Sequence, residues 1–116
     1  WVEGDDKLSA KAKGCIANPD NEILVSVVVA WELAIKAGQG GIRLAQPVGR
    51  YVASHIEANG FRLLGIELDD VAAIETLPLH HRDPFDRLLV AQAKNRKLPV
   101  VSSDRAFSDY GIKRIW

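Results

Sequence analysis

The sequence predicts an α/β layered fold with a mostly parallel sheet. Two observations carry that expectation. Helical stretches alternate with short apolar runs along the whole chain. Most of the helical stretches also open on a residue suited to capping a helix. No internal repeat, low-complexity run or linker interrupts the pattern, and 116 residues suffice for one domain, so a single domain over residues 1–116 is expected.

Ser9 can cap a helix running to about Ala17, with Ala10, Ala12, Cys15 and Ile16 available for one face. Asn18-Pro19-Asp20-Asn21 is a turn. Ile23-Leu24-Val25 has the shape of a buried strand, and Ser26 can cap a helix from about Val28 to Ala37 that Gly38 ends. A loop at Gln39-Gly40-Gly41 leads to a third helix from about Pro47 to Ala58, stopped at Gly60. Phe61 to Ile66 is a second strand, and Asp69 caps a short helix through about Thr76. After the loop Pro78-Leu79-His80-His81-Arg82, Asp83 caps a helix with Pro84 at its favoured first position, ending near Arg96. Leu98 to Ser102 is a strand, Asp104 opens a short helix stopped at Gly111, and Ile112 to Trp116 closes the chain as a strand.

Composition narrows the function classes. Fifteen Lys and Arg balance fifteen Asp and Glu, which argues against a strongly basic nucleic-acid coat. An enzyme meeting RNA through a local patch and a bound metal stays open. The longest apolar run, Ile23 to Trp31, is broken by Ser26 and falls short of the ~20 residues that span a membrane. No signal peptide is visible. The single cysteine, Cys15, cannot form an intrachain disulfide and is expected as a small core residue, which suits a reducing cytoplasm.

Three carboxylates stand at equivalent strand-to-helix junctions. Glu32 lies one turn into the helix after the first strand, Asp86 in the first turn of the helix opened by Asp83, and Asp104 just past the strand ending at Ser102. Open α/β sheets place their sites beyond the carboxyl ends of the strands. Glu32 stands in too apolar a helix start to serve solubility alone, whereas the two aspartates also have structural explanations. Asp83 with Asp86 resembles a capping box, and Asp104 can cap its helix. Together they are costly: two carboxylates ~4 Å apart repel by roughly 4 kcal/mol at an effective dielectric near 20. A cluster of three should recruit a proton or a divalent cation. Oxygen ligands select Mg²⁺ or Mn²⁺, ions that activate water and neutralise charge in phosphodiester hydrolysis.

The residues then become recognisable. Leu8-Ser9-Ala10, Asn21-Glu22-Ile23-Leu24-Val25-Ser26, Trp31-Glu32-Leu33-Ala34-Ile35-Lys36, Leu77-Pro78-Leu79-His80-His81-Arg82-Asp83-Pro84-Phe85-Asp86-Arg87, Ala91-Gln92-Ala93, Val101-Ser102-Ser103-Asp104 and Tyr110-Gly111-Ile112 together resemble PIN-domain ribonucleases, specifically VapC-type toxins of type II toxin–antitoxin systems. The resemblance runs nearly end to end, and the Arg82-to-Arg87 block is its most specific part. It implies a three-layer α/β/α fold and an acid cluster that holds Mg²⁺ or Mn²⁺ and cuts single-stranded RNA. It also implies a homodimer and a VapB-type antitoxin partner. Glu32, Asp86 and Asp104 fall on the family's second, third and fourth acidic positions. Ser102 falls where the family has a Thr or Ser whose hydroxyl can orient a water or a carboxylate. The family's first acid ends an opening strand that this chain is expected to lack, since it starts at Trp1 just beyond it. Asp5 and Asp6 follow Gly4 in what reads as a surface turn and are poor substitutes. A truncated start, with weak or no activity, is the expectation.

Other residues carry smaller expectations. His80 and His81 are expected to face the loop or RNA rather than zinc, since no Cys or third clustered His completes a set. Arg82 and Arg87 are candidates for phosphate contact, or solvated partners of Asp83 or Asp86. Lys94, Arg96 and Lys97 suit a helix C-terminus. Trp31 and Trp116 are expected to be buried, and His55 to be a surface or packing residue. Val48, Val52 and Ile56 face the core or a partner. Two competitors to the nuclease stand: a PIN-fold partner- or RNA-binding module that lost catalysis, and a phosphoacceptor receiver domain. The second is disfavoured because no lysine ends a late strand; Lys97 precedes its strand.

Overall fold

The computed structural model describes residues 8–116. Gly4, Asp5 and Asp6, and the surface turn expected there, lie outside the described residues. The chain is of mixed α/β class. Its elements are α1 (Ala10–Ala17), β1 (Leu24–Ser26), α2 (Val27–Gly38), α3 (Val48–Asn59), β2 (Arg62–Leu64), α4 (Leu68–Ala73) followed by a 3-10 turn (Ile74–Thr76), α5 (Pro84–Arg96), β3 (Val100–Val101), α6 (Ala106–Asp109) and β4 (Arg114–Ile115). They form two compact packing units, one built from Glu22–Ile66 and the other from the segment up to Asn21 with Glu67–Trp116. Among the described residues, no helix is long and apolar enough to cross a membrane.

In the Glu22–Ile66 unit, β1 and β2 pair in parallel with Val25 opposite Leu63. The crossover between them carries α2 and α3, which pack on each other. The Ser26 hydroxyl accepts the Val28 N–H at 3.1 Å and starts α2. Gly60 stops α3 with φ 68°, a left-handed conformation that glycine adopts without steric cost. His55 packs edge-on against Tyr51, the buried residue of α3. Val48, Val52 and Ile56 are half-buried.

In the other unit, β3 and β4 pair in parallel with Val101 opposite Ile115. Its core gathers Val90 and Ala93 of α5 with Phe107, Tyr110 and Ile112, and Leu77, Leu89 and Val100 pack against them. β2, β3 and β4 are shorter than the apolar runs that predict them, because only some residues of each run find a ladder partner, while β1 keeps three residues, shifted by one to Leu24–Ser26.

Four expectations are corrected. Trp31 is 49% exposed rather than buried. Helix α2 is apolar almost all round, Val29 and Ile35 are exposed with Trp31, and only Val28 is fully buried. Its apolar circumference exceeds one buried face. Cys15 is half-buried, and Ala12 alone is the buried residue of α1. Glu67, not Asp69, is the N-cap of α4. The cause is Asp70, whose side chain is drawn fully into the interior. Asp70 accepts from the Glu67 N–H at 2.8 Å, from Asn95 at 3.0 Å and from both Arg96 terminal nitrogens at 2.7 and 3.0 Å. Arg96 is therefore the partner of a buried carboxylate and ties α5 to α4, where a helix-terminal cation was expected.

The Arg96 guanidinium bonded to Asp70 holds its carboxyl down, from 3.8 to about 2, against the opposing effect of burial. A lowered folded-state pKa contributes stability that is complete above about pH 4 and is lost as the pH falls toward 2. We expect Asp70→Asn to lower the unfolding free energy at neutral pH by about 2 kcal/mol in urea titrations. The variant should also flatten the loss of stability between about pH 4 and pH 2 that the parent shows.

Candidate metal centre

The first turn of α5 is built by Asp83. Its Oδ1 accepts the Phe85 N–H at 2.8 Å and the Asp86 N–H at 3.4 Å, and Pro84 takes the first helical position, where no N–H is needed. This turn presents Asp86. At the carboxyl end of β3, the Ser102 hydroxyl accepts the Asp104 N–H at 3.0 Å, and Asp104 Oδ1 accepts the Ala106 N–H at 2.9 Å to open α6. One oxygen of Asp104 is thus spent on the backbone, while Oδ2 lies 3.5 Å from His81 Nε2. Asp86 Oδ2 lies 3.3 Å from the same nitrogen. His81 Nδ1 accepts the Asp83 N–H at 3.1 Å, which sets the plane of the ring.

The loop before α5 is held from the inside. The buried Tyr110 hydroxyl accepts the N–H groups of His80 at 3.1 Å and His81 at 2.9 Å. The Arg87 guanidinium donates to that hydroxyl and to the carbonyls of Ile74, Leu77, Pro78 and His81. The His80 ring stands edge-on to Tyr110, centroids 4.9 Å apart. The two adjacent histidines therefore part: His80 packs on the core and His81 turns to the acids.

His81, Asp86 and Asp104 each offer an atom within 4.8 Å of the others. The donor chemistry fits a hard divalent cation, because two carboxylate oxygens converge at one point beside a strand end. Asp86 and Asp104 are the residues that can hold it. Arg82 is exposed, and with Ile74, Leu79, Pro84 and Arg87 it lines a surface cavity of about 420 Å³. Glu32 belongs to α2, in the other packing unit, where its Oε2 lies 3.6 Å from Lys36 Nζ one helical turn on.

The family model for the PIN domain matches residues 1–113. The chain belongs to the PIN domain family. No curated protein and no solved structure matches it. PIN domains are generally metal-dependent nucleases, and the paired acids of this PIN domain suit that chemistry.

Sequence reasoning brought Asp86 and Asp104 to one sheet edge but missed His81 between them. The signal was present: His81 stands two residues before the cap of the helix that carries Asp86, close enough to fold back on its first turn. It also left Arg87 between phosphate contact and an acid partner, whereas its guanidinium holds the preceding loop. The predicted consequence concerns Tyr110→Phe, which keeps the ring and removes the acceptor shared by His80 and His81. That variant should lose about 1–3 kcal/mol in chemical denaturation, and the His80 and His81 amides should exchange with deuterium faster.

Proposed function

We propose that this PIN domain is a divalent-metal-dependent endoribonuclease, the VapC-type toxin of a type II toxin–antitoxin pair. One observation supports the hydrolase reading above others: Asp86 and Asp104 each bring a carboxylate oxygen to the same place at the end of β3, 3.3 and 3.5 Å from His81 Nε2 and within 4.8 Å of each other. The block Arg82-Asp83-Pro84-Phe85-Asp86-Arg87 supports the VapC assignment. Asp86 and Asp104 would hold Mg²⁺ or Mn²⁺; Glu32, which the resemblance sets on another of the family's acidic positions, belongs to the other packing unit. When bound, such a cation activates water toward phosphorus and offsets charge growing on the phosphate.

The chain's own residues prepare the rest. Asp83 fixes the helical turn that aims Asp86, and Ser102 anchors the backbone that aims Asp104. Arg82, exposed at the lining of the cavity, suits contact with an RNA phosphate. The exposed apolar side chains Val29, Trp31 and Ile35 on α2 suit burial against a protein, either the VapB-type antitoxin or a second copy in a homodimer. The place of action is then the cytoplasm, where RNA and antitoxin meet.

The test is cleavage of single-stranded RNA by the full-length product of the reading frame, purified free of antitoxin. Cutting is expected with Mg²⁺ or Mn²⁺ and should stop on chelation. Asp86→Asn and Asp104→Asn should each reduce it by at least about 100-fold. No cutting with either ion, or cutting indifferent to both substitutions, would refute the nuclease.

A further inference from the structure

The cavity lined by Ile74, Leu79, Arg82, Pro84 and Arg87 holds about 420 Å³. Sites for small molecules occupy about 300–1,000 Å³. Its walls are of two kinds: three apolar side chains and two guanidinium groups, with no carboxylate in the lining. Arg82 is exposed and makes no ion pair among the described residues. Arg87 donates to the carbonyls of Ile74, Leu77, Pro78 and His81 and to the Tyr110 hydroxyl, and it keeps its charge. A ligand that suits both kinds of wall has an apolar body and a negative group. An inorganic anion leaves the apolar walls unused. An uncharged apolar group takes water from the guanidinium groups and returns nothing.

The position of the cavity narrows the ligand further. Pro84 and Arg87 stand three positions apart on one face of the first turn of α5, and Asp86 lies about 100° round from Arg87 on the same turn. One rigid element therefore carries both a cavity wall and a metal-holding acid. The facing wall is anchored as well. Leu79 lies between Pro78, whose carbonyl accepts from Arg87 at 3.0 Å, and His80, whose N–H donates to the Tyr110 hydroxyl at 3.1 Å. The Leu79 side chain is 68% exposed on a backbone held on both sides. A preformed wall of this kind costs little ordering when a ligand arrives.

We propose that this cavity is a nucleobase subsite for the RNA chain whose phosphate is cut at Asp86 and Asp104. An unstacked base enters between Ile74, Leu79 and Pro84, and the phosphate of its own nucleotide meets the Arg82 guanidinium. Proteins read single-stranded RNA in this way, by splaying bases out of the stack onto side chains. The proposal rests on the reading of RNA as the substrate and adds that the substrate must present an unpaired base near the cleaved bond.

The test is equilibrium binding, in EDTA, of a fluorescent single-stranded oligoribonucleotide of mixed sequence to the full-length product, free of antitoxin. A base-free ribose-phosphate chain of the same length serves as the second probe. The parent is expected to bind the RNA about tenfold more tightly than the base-free chain. Leu79→Asn, at an exposed position, should keep the parent's melting temperature and lose about tenfold in RNA affinity. Its affinity for the base-free chain and its salt dependence should stay as in the parent. Arg82→Gln should weaken both probes and lessen the salt dependence. Annealing the RNA to its complement should remove the difference between Leu79→Asn and the parent. No preference of the parent for RNA over the base-free chain overturns the subsite. Equal RNA binding by Leu79→Asn and the parent overturns it too and leaves the cavity to a protein partner. If RNA is still cut in a manner that needs Asp86 and Asp104, the metal centre survives either result. Binding that depends on Leu79 without any cleavage keeps the subsite and refutes the nuclease.

Discussion

The Arg87 guanidinium and the Tyr110 hydroxyl together satisfy the backbone of the loop from Ile74 to His81. Beyond the 3-10 turn at Ile74–Thr76 that segment has no ladder or helix to absorb its polar groups, and N–H and C=O groups left without partners are costly. A guanidinium is suited to the task because it offers five N–H donors in a fixed fork and stays charged. The buried hydroxyl adds one acceptor for two consecutive amides. The His81 and Asp86 side of the acid pair depends on this clamp. It sets where His81 stands, His81 and Asp83 meet through the ring nitrogen, and Asp83 builds the turn that presents Asp86.

The structural and chemical explanations of the carboxylates turn out to be compatible. A carboxylate has two oxygens, and Asp104 uses them separately: Oδ1 opens α6, and Oδ2 faces His81. Asp83 and Asp86 divide the same labour between two residues, one capping the helix and the other carried by it. A capping interaction does not argue against a metal-holding role. It fixes the direction of a side chain that would otherwise sample several rotamers, and a site that binds a cation gains from that preorganisation.

Elsewhere in the same unit a carboxylate is handled differently. Asp70 is fully buried and surrounded by four donors, so it remains charged as a tie between α4 and α5. Asp86 and Asp104 keep partial access to solvent and meet at short range. One arrangement consumes the negative charge inside the protein, while the other sets two half-buried or partly exposed carboxylates beside one imidazole. The local sequence does not distinguish them, since each acid sits in or next to the first turn of a helix.

The amino-acid sequence by itself determined the features that rest on neighbours in the chain. Ser9, Ser26 and Asp83 cap their helices, Pro84 opens α5, Gly60 closes α3, and the alternation of elements sets the α/β class. These depend on contacts within a few residues, where side-chain type and spacing are enough. Tertiary structure alone decided what pairs across the fold. Arg96 finds Asp70 twenty-six positions away, Tyr110 finds His80 and His81 across thirty and twenty-nine, and His81 comes to lie between Asp86 and Asp104. Tertiary structure also left Trp31 exposed on a helix with more apolar surface than one face can bury. Such partners are chosen by packing, which selects among several local arrangements of similar energy and leaves no periodic trace along the chain.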